Sequence, residues 1–149
     1  MKKYLFIFAL GVTGLSFAQP KEPEVVELTR QERNATIQQQ QPTYESIMVA
    51  AFKAGNATKI ASYFADNVDL SILESENLYS KAQAEQILKN FFTKHKPSEF
   101  TIVHKGKSGQ SEYFIGELTC TDAIFRVTMN SKSDDGNKQI TSLTIEVNG

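Results

Sequence analysis

Hydrophobic spacing divides the chain from Tyr44 onward into helical and extended stretches. Tyr44, Ile47, Met48, Ala51 and Phe52 recur at intervals of three and four, the spacing that places side chains on one face of a helix. Thr43 stands where a side-chain oxygen can cap the first turn. Gly55 stands where a left-handed residue ends a helix. Asn56 can then cap a second short helix with Ile60, Tyr63 and Phe64 turned inward. Val68, Leu70 and Ile72 alternate with their neighbours and predict a strand. Ser80 and Gln83 form a capping-box pattern. Behind it Ala84, Ile87, Leu88, Phe91, Phe92 and His95 trace one helical stripe, and Pro97 marks its stop.

After Pro97 the period becomes two. Phe100, Ile102 and His104 share one face of a strand, followed by Phe114, Gly116, Leu118 and Cys120 on the next. Phe125, Val127 and Met129 share a face of a third strand, and Leu143, Ile145 and Val147 a face of the last. The joints lie at 106–110, 121–123 and 134–137 and are short, which forces antiparallel neighbours. The last contains Asp135-Gly136, a hairpin signal because Gly tolerates positive φ. Helices with one apolar stripe and a meander with one apolar face cover each other. The predicted class is α+β, with N-terminal helices and one long helix packed on a curved antiparallel sheet.

The start of the chain has a different character. Lys2 and Lys3 precede an uncharged run to Leu15, and Ser16-Phe17-Ala18 supplies small residues at a cleavage site. This three-part layout predicts a signal peptide over residues 1–18. The apolar run is shorter than the roughly 20 residues that span a bilayer, so no membrane span is expected. Residues 19–42 hold Glu-Pro-Glu and four consecutive glutamines and are expected to be a flexible Gln-rich linker. The domain is placed at 43–149. The expected location is exported, periplasmic or secreted.

Composition narrows the function classes. Loss of residues 1–18 leaves a net charge of about −3, without the basic excess of a nucleic-acid binder. Cys120 is the single cysteine, so no internal disulfide is available and stability must come from packing.

From Thr43 to Val147 the chain resembles a family of short exported bacterial proteins of unknown function. The stretches that carry the resemblance include Lys53-Ala54-Gly55-Asn56, Val68-Asp69-Leu70, Tyr79-Ser80-Lys81-Ala82-Gln83-Ala84, Phe100 to Gly106 and Tyr113-Phe114-Ile115-Gly116. The resemblance implies a cystatin-like α+β roll, the fold of nuclear transport factor two and ketosteroid isomerase. It brings no activity, because that fold hosts enzymes, transport factors and oligomerisation modules alike.

Two sets of candidate residues follow. Alternation places His104 with Phe100 and Ile102 toward the helices, and with Phe91 and Tyr63 these five are the candidates for lining a ligand cavity. An imidazole there could exchange protons near neutral pH. Tyr113, Ile115, Ile124 and Arg126 lie on the opposite sheet face, with Ile140, Glu117 and Glu146, and are the interface candidates. Asp69 points outward and is a poor base. His95 suits the C-terminus of its helix as a cation. Cys120 packs as a small apolar residue. No catalytic set, metal ligand set or cofactor motif is identified. The expectation is an exported non-catalytic module that binds an unknown small apolar molecule, peptide or protein. The alternatives are a small enzyme with a ketosteroid-isomerase-like cavity using His104, and a structural homodimer.

Overall fold

The structure is a computed structural model in which the described residues are 41–149 and the isolated glycines Gly11 and Gly14. The signal segment and nearly all of the linker lie outside them. Three helices and six strands form the unit Pro42–Gly149. Helix α1 runs Tyr44–Lys53, with Thr43 Oγ1 accepting from the Ser46 amide at 3.2 Å. Gly55 follows it with φ 62°, the left-handed residue expected after a helix end. Helix α2, Ala57–Ala61, starts where Asn56 Oδ1 accepts from the Lys59 amide. It stops before Tyr63, and Phe64 opens strand β1 (Phe64–Ile72) instead of closing a helix. Helix α3, Lys81–Lys94, has both hydrogen bonds of the Ser80/Gln83 capping box.

Strand β2, Ser75–Ser80, was not expected. It is an edge strand whose first four residues are exposed, so no alternation of apolar and polar residues announces it. The meander follows as β3 (Pro97–Ser108), β4 (Ser111–Cys120), β5 (Ile124–Asp134) and β6 (Asn137–Val147). The β5–β6 turn puts both Asp135 and Gly136 at positive φ, 45° and 82°, the backbone of a type I′ hairpin turn. The sheet order is β2-β1-β6-β5-β4-β3. β1 lies parallel to β6, and every other pair is antiparallel.

The helices cover the concave face of this curved, open sheet. Met48, Phe52, Ile60, Leu88 and Phe91 meet Leu70, Phe100, Leu118, Phe125, Leu143 and Ile145 in one buried core. One close approach is at Gly116, where the Phe100 ring occupies the space of a side chain: a Cβ there would sit 2.4 Å from Phe100 Cζ.

Two bulges change which side chains face that core. Ile102 lies opposite Gly116 but His104 lies opposite Ile115, so Val103 is an extra residue in β3. One extra residue inverts the facing of everything beyond it. His104 therefore moves to the convex face and is exposed, correcting the expectation that it joins Phe100 and Ile102. Lys105, opposite Phe114, takes the concave position and reaches Glu45 of α1 at 2.6 Å. In β6, Asn130 lies opposite Ser142 and Ser131 opposite Ile140, so Thr141 is extra. Ile140, expected on the convex face, is consequently buried in the core.

Candidate functional site

The five residues expected to line one cavity are dispersed. Phe100 stacks on Phe52 at 4.7 Å and Phe91 meets Phe125 edge-on at 5.1 Å. Tyr63 sits edge-on against Tyr44 at 5.3 Å, and Ile102 is half-buried against the core. They are mostly packing residues, and His104 is on the other face. The four interface candidates do share the convex face. Tyr113 and Ile124 are each 43% exposed, Arg126 is exposed, and Ile115 is half-buried. Arg126 lies opposite both Glu117 and Glu146, with its Nη1 3.9 Å from Glu146 Oε1.

The two ends of the concave face differ in chemistry. At one end, beyond both bulges, Lys105, Lys107, Glu112, Ser131 and Lys138 take inward positions beside the buried Phe114 and Ile140. Lys138 Nζ contacts the Glu112 carboxylate and lies 4.8 Å over the Tyr44 ring. Burial, then the charge of Lys107, holds the Lys138 ammonium below the ordinary lysine range. Ser131 is 3% exposed and donates to the Glu112 carbonyl. Burial pushes the Tyr44 phenol up to about 12, the nearby Ser131 hydroxyl acting in the opposite sense as a weak hydrogen-bond partner, and the buried oxygen makes no well-formed hydrogen bond among the described residues. These groups pair with or cover one another beside two clefts of about 460 and 450 Å³ lined mainly by polar residues.

At the other end the face is apolar and open. Ile72 and Leu73 of the β1–β2 turn, Ile87 and Phe91 of α3, and Val147 at the end of β6 line two adjoining clefts of about 200 and 560 Å³ that share Ile72, Leu73 and Ser75. Leu73 is 44% and Val147 60% exposed. Leu73 holds φ 56°, a conformation that costs a branched side chain energy.

His95 stands on the wall of this cleft. Its Nδ1 is 2.6 Å from Asp122 Oδ2, and its ring packs on Phe91 at 4.8 Å and Phe125 at 5.0 Å. Its Nε2 makes no hydrogen bond among the described residues and is not buried. A carboxylate on one imidazole nitrogen fixes the ring and leaves the other nitrogen for a ligand. Sequence reasoning placed His95 at a helix terminus but missed Asp122, which lies 27 residues away on the β4–β5 joint. Cys120 is close by, and burial, then the charge of Asp122, pushes its thiol up to about 11. It is therefore a poor nucleophile near neutral pH. Among the described residues, no three His, Cys, Asp or Glu side chains gather to hold a metal, and no helix is long and apolar enough to cross a membrane.

Helices capping the concave side of a curved six-stranded sheet, with β1 parallel to β6, define an NTF2-like α+β roll. Solved NTF2-like proteins of unknown function from Silicibacter pomeroyi and Shewanella baltica share this fold. They are 11% and 12% identical, with TM-scores of 0.53 and 0.57, and the matches cover 80% of this chain and 98% and 96% of theirs. Residues 44–146 match the domain of unknown function DUF4783, and the chain belongs to that family. A DUF4783 family protein from Bacteroides ovatus is 30% identical with a TM-score of 0.67, over 70% of this chain and 94% of that one. One from Bacteroides uniformis is 29% identical with a TM-score of 0.68, over 72% and 99%. No curated protein matches the chain.

Proposed function

We propose that the protein is an exported, non-catalytic binding module that holds a small apolar-bodied molecule in the open cleft. The carrying observation is that Leu73 and Val147 remain exposed on apolar walls that continue into the core through Ile72 and Phe91. Mostly apolar clefts with a few placed polar groups are the common form of ligand site. Covering one such half-exposed side chain contributes on the order of 1 kcal/mol. Export rests on the N-terminal pattern of Lys2, Lys3, the apolar run and Ala18. His104 does not support an enzyme, because the bulge carries it away from the concave face. The test is native mass spectrometry of the protein from an exported preparation. Extra mass that disappears on denaturation, and that Leu73→Ser abolishes, is the expected result. A bare protein that also fails to bind a hydrophobic fluorescent probe would overturn the reading.

A second reading, a homodimer through the convex face, is supported by Tyr113 and Ile124 standing exposed beside Arg126, Glu117 and Glu146. Arginine and glutamate on one patch can pair across a twofold axis. Sedimentation of the wild type and Ile124→Asp at high micromolar concentration decides it: a dimer lost in the variant supports it, and a wild-type monomer ends it.

A further inference from the structure

We infer that the ligand of the open cleft is an amphipathic carboxylate, its head held by His95 and Lys94 and its apolar body running toward Leu73 and Val147. This rests on the binding reading above and adds the ligand's chemistry. The half of the cleft between α3 and the β1–β2 turn carries Lys94 and His95 beside Ile87 and Phe91, and no acidic side chain. The adjoining half carries Glu74 and Glu146 beside Leu73 and Val147. Arg126 lies 3.9 Å from Glu146 on the convex side, so Glu74 is the acid of that half without an ion-pair partner among the described residues and Lys94 the cation of the first, joined by an apolar floor. An anionic head is drawn to the first and repelled from the second, which gives the ligand one orientation.

The His95 imidazole suits that head. Asp122 accepts from Nδ1 at 2.6 Å, so a protonated ring presents Nε2–H outward while Asp122 offsets its charge. An N–H on a charged ring is a strong donor to a carboxylate. Lys94 is exposed one residue away, with no ion-pair partner among the described residues. The carbonyls at the end of α3 oppose an anion with roughly half an elementary charge. The Lys94 ammonium alone exceeds that. A neutral His95 would instead accept from a hydroxyl, which makes an alcohol of the same length the proper competitor.

The experiment is calorimetric titration of the protein at pH 7 with decanoate, decan-1-ol and decyltrimethylammonium, each below its micellar concentration. Decanoate is expected to bind about 10-fold tighter than decan-1-ol. Lys94→Gln should remove most of that preference and leave decan-1-ol unchanged, and His95→Gln should weaken decanoate more than decan-1-ol. Lys94 is exposed, so its variant folds even if the His95 variant does not. Equal affinity for acid and alcohol, or a preference for the cation, overturns the carboxylate and leaves the cleft reading intact. No binding of any of the three, together with a bare protein in native mass spectrometry, overturns both.

Discussion

The polar and the apolar ends of the concave face belong to the same sheet and are covered by the same helical layer, yet they are built for different ends. At the polar end the inward groups answer one another: Lys138 meets Glu112, Ser131 bonds the Glu112 carbonyl, Lys105 meets Glu45, and Tyr44 lies across them. At the apolar end Leu73 and Val147 stay exposed, and the His95 Nε2 has no hydrogen-bond partner among the described residues. A polar group taken from water costs free energy unless it is paired, so the partly buried Lys138, Glu112 and Ser131 are held against one another. Apolar groups left in water cost free energy until something covers them. The difference separates an end whose groups pair within the fold from an end whose apolar side chains stay exposed to water.

Substitutions at each end should therefore move different observables. The largest effect is expected at the polar end. Lys138→Met strands the partly buried Glu112 carboxylate and should cost about 2 kcal/mol, reduced from the deep-burial value because both side chains keep some exposure. Adding Glu112→Leu should restore most of it. Urea denaturation of the single and double variants measures both, and equal stabilities throughout would remove the distinction between the ends.

Leu73→Gly comes next and should do the opposite. Releasing a leucine from φ 56° should stabilise the protein by about 1 kcal/mol, while loss of the side chain weakens binding in the open cleft. Denaturation and ligand titration on one sample test both halves, and a variant that loses stability yet keeps its affinity would contradict the assignment.

Tyr44→Phe removes a buried hydroxyl that makes no well-formed hydrogen bond among the described residues and should stabilise the protein by up to about 1 kcal/mol. It should also change the alkaline limb of stability. The phenol ionises near about 12 in the folded protein, above its ordinary 10.0, so the folded state keeps its proton longer than the unfolded chain. That contribution is full below pH 10 and is lost as pH rises toward 12. The wild type should lose stability across this window more steeply than Tyr44→Phe, as thermal melts at pH 8 and pH 11 would report.

The smallest effect is expected from His104→Ala. An exposed residue on the convex face should change stability by less than about 0.5 kcal/mol and leave cleft binding untouched. A loss of binding would put the site elsewhere.

Much of the fold was legible in the residues, and little of the site was. Helix ends were marked by chemistry that acts within a few residues: Thr43, Asn56, the Ser80/Gln83 box and Gly55. The Asp135-Gly136 turn was marked in the same way, because a type I′ turn requires positive φ at both positions. Period-two alternation identified five strands and their core faces as far as the bulges. It then failed at His104 and Ile140, because a face assignment propagates along a strand and one extra residue reverses it. Neither Val103 nor Thr141 carries a side chain that announces a bulge. Edge strand β2 escaped notice because its first residues are exposed and lack alternation.

The sequence by itself determined the caps, the turns, the α+β class and the residues of the core, since all of these follow from local periodicity and backbone preference. Only the tertiary structure decided that β1 runs parallel beside β6, that Lys105 and not His104 faces the helices, and that His95 meets Asp122. These depend on where strands come to rest against one another. Register and long-range pairing arise from the packing of the whole sheet, and no short stretch of residues contains that information.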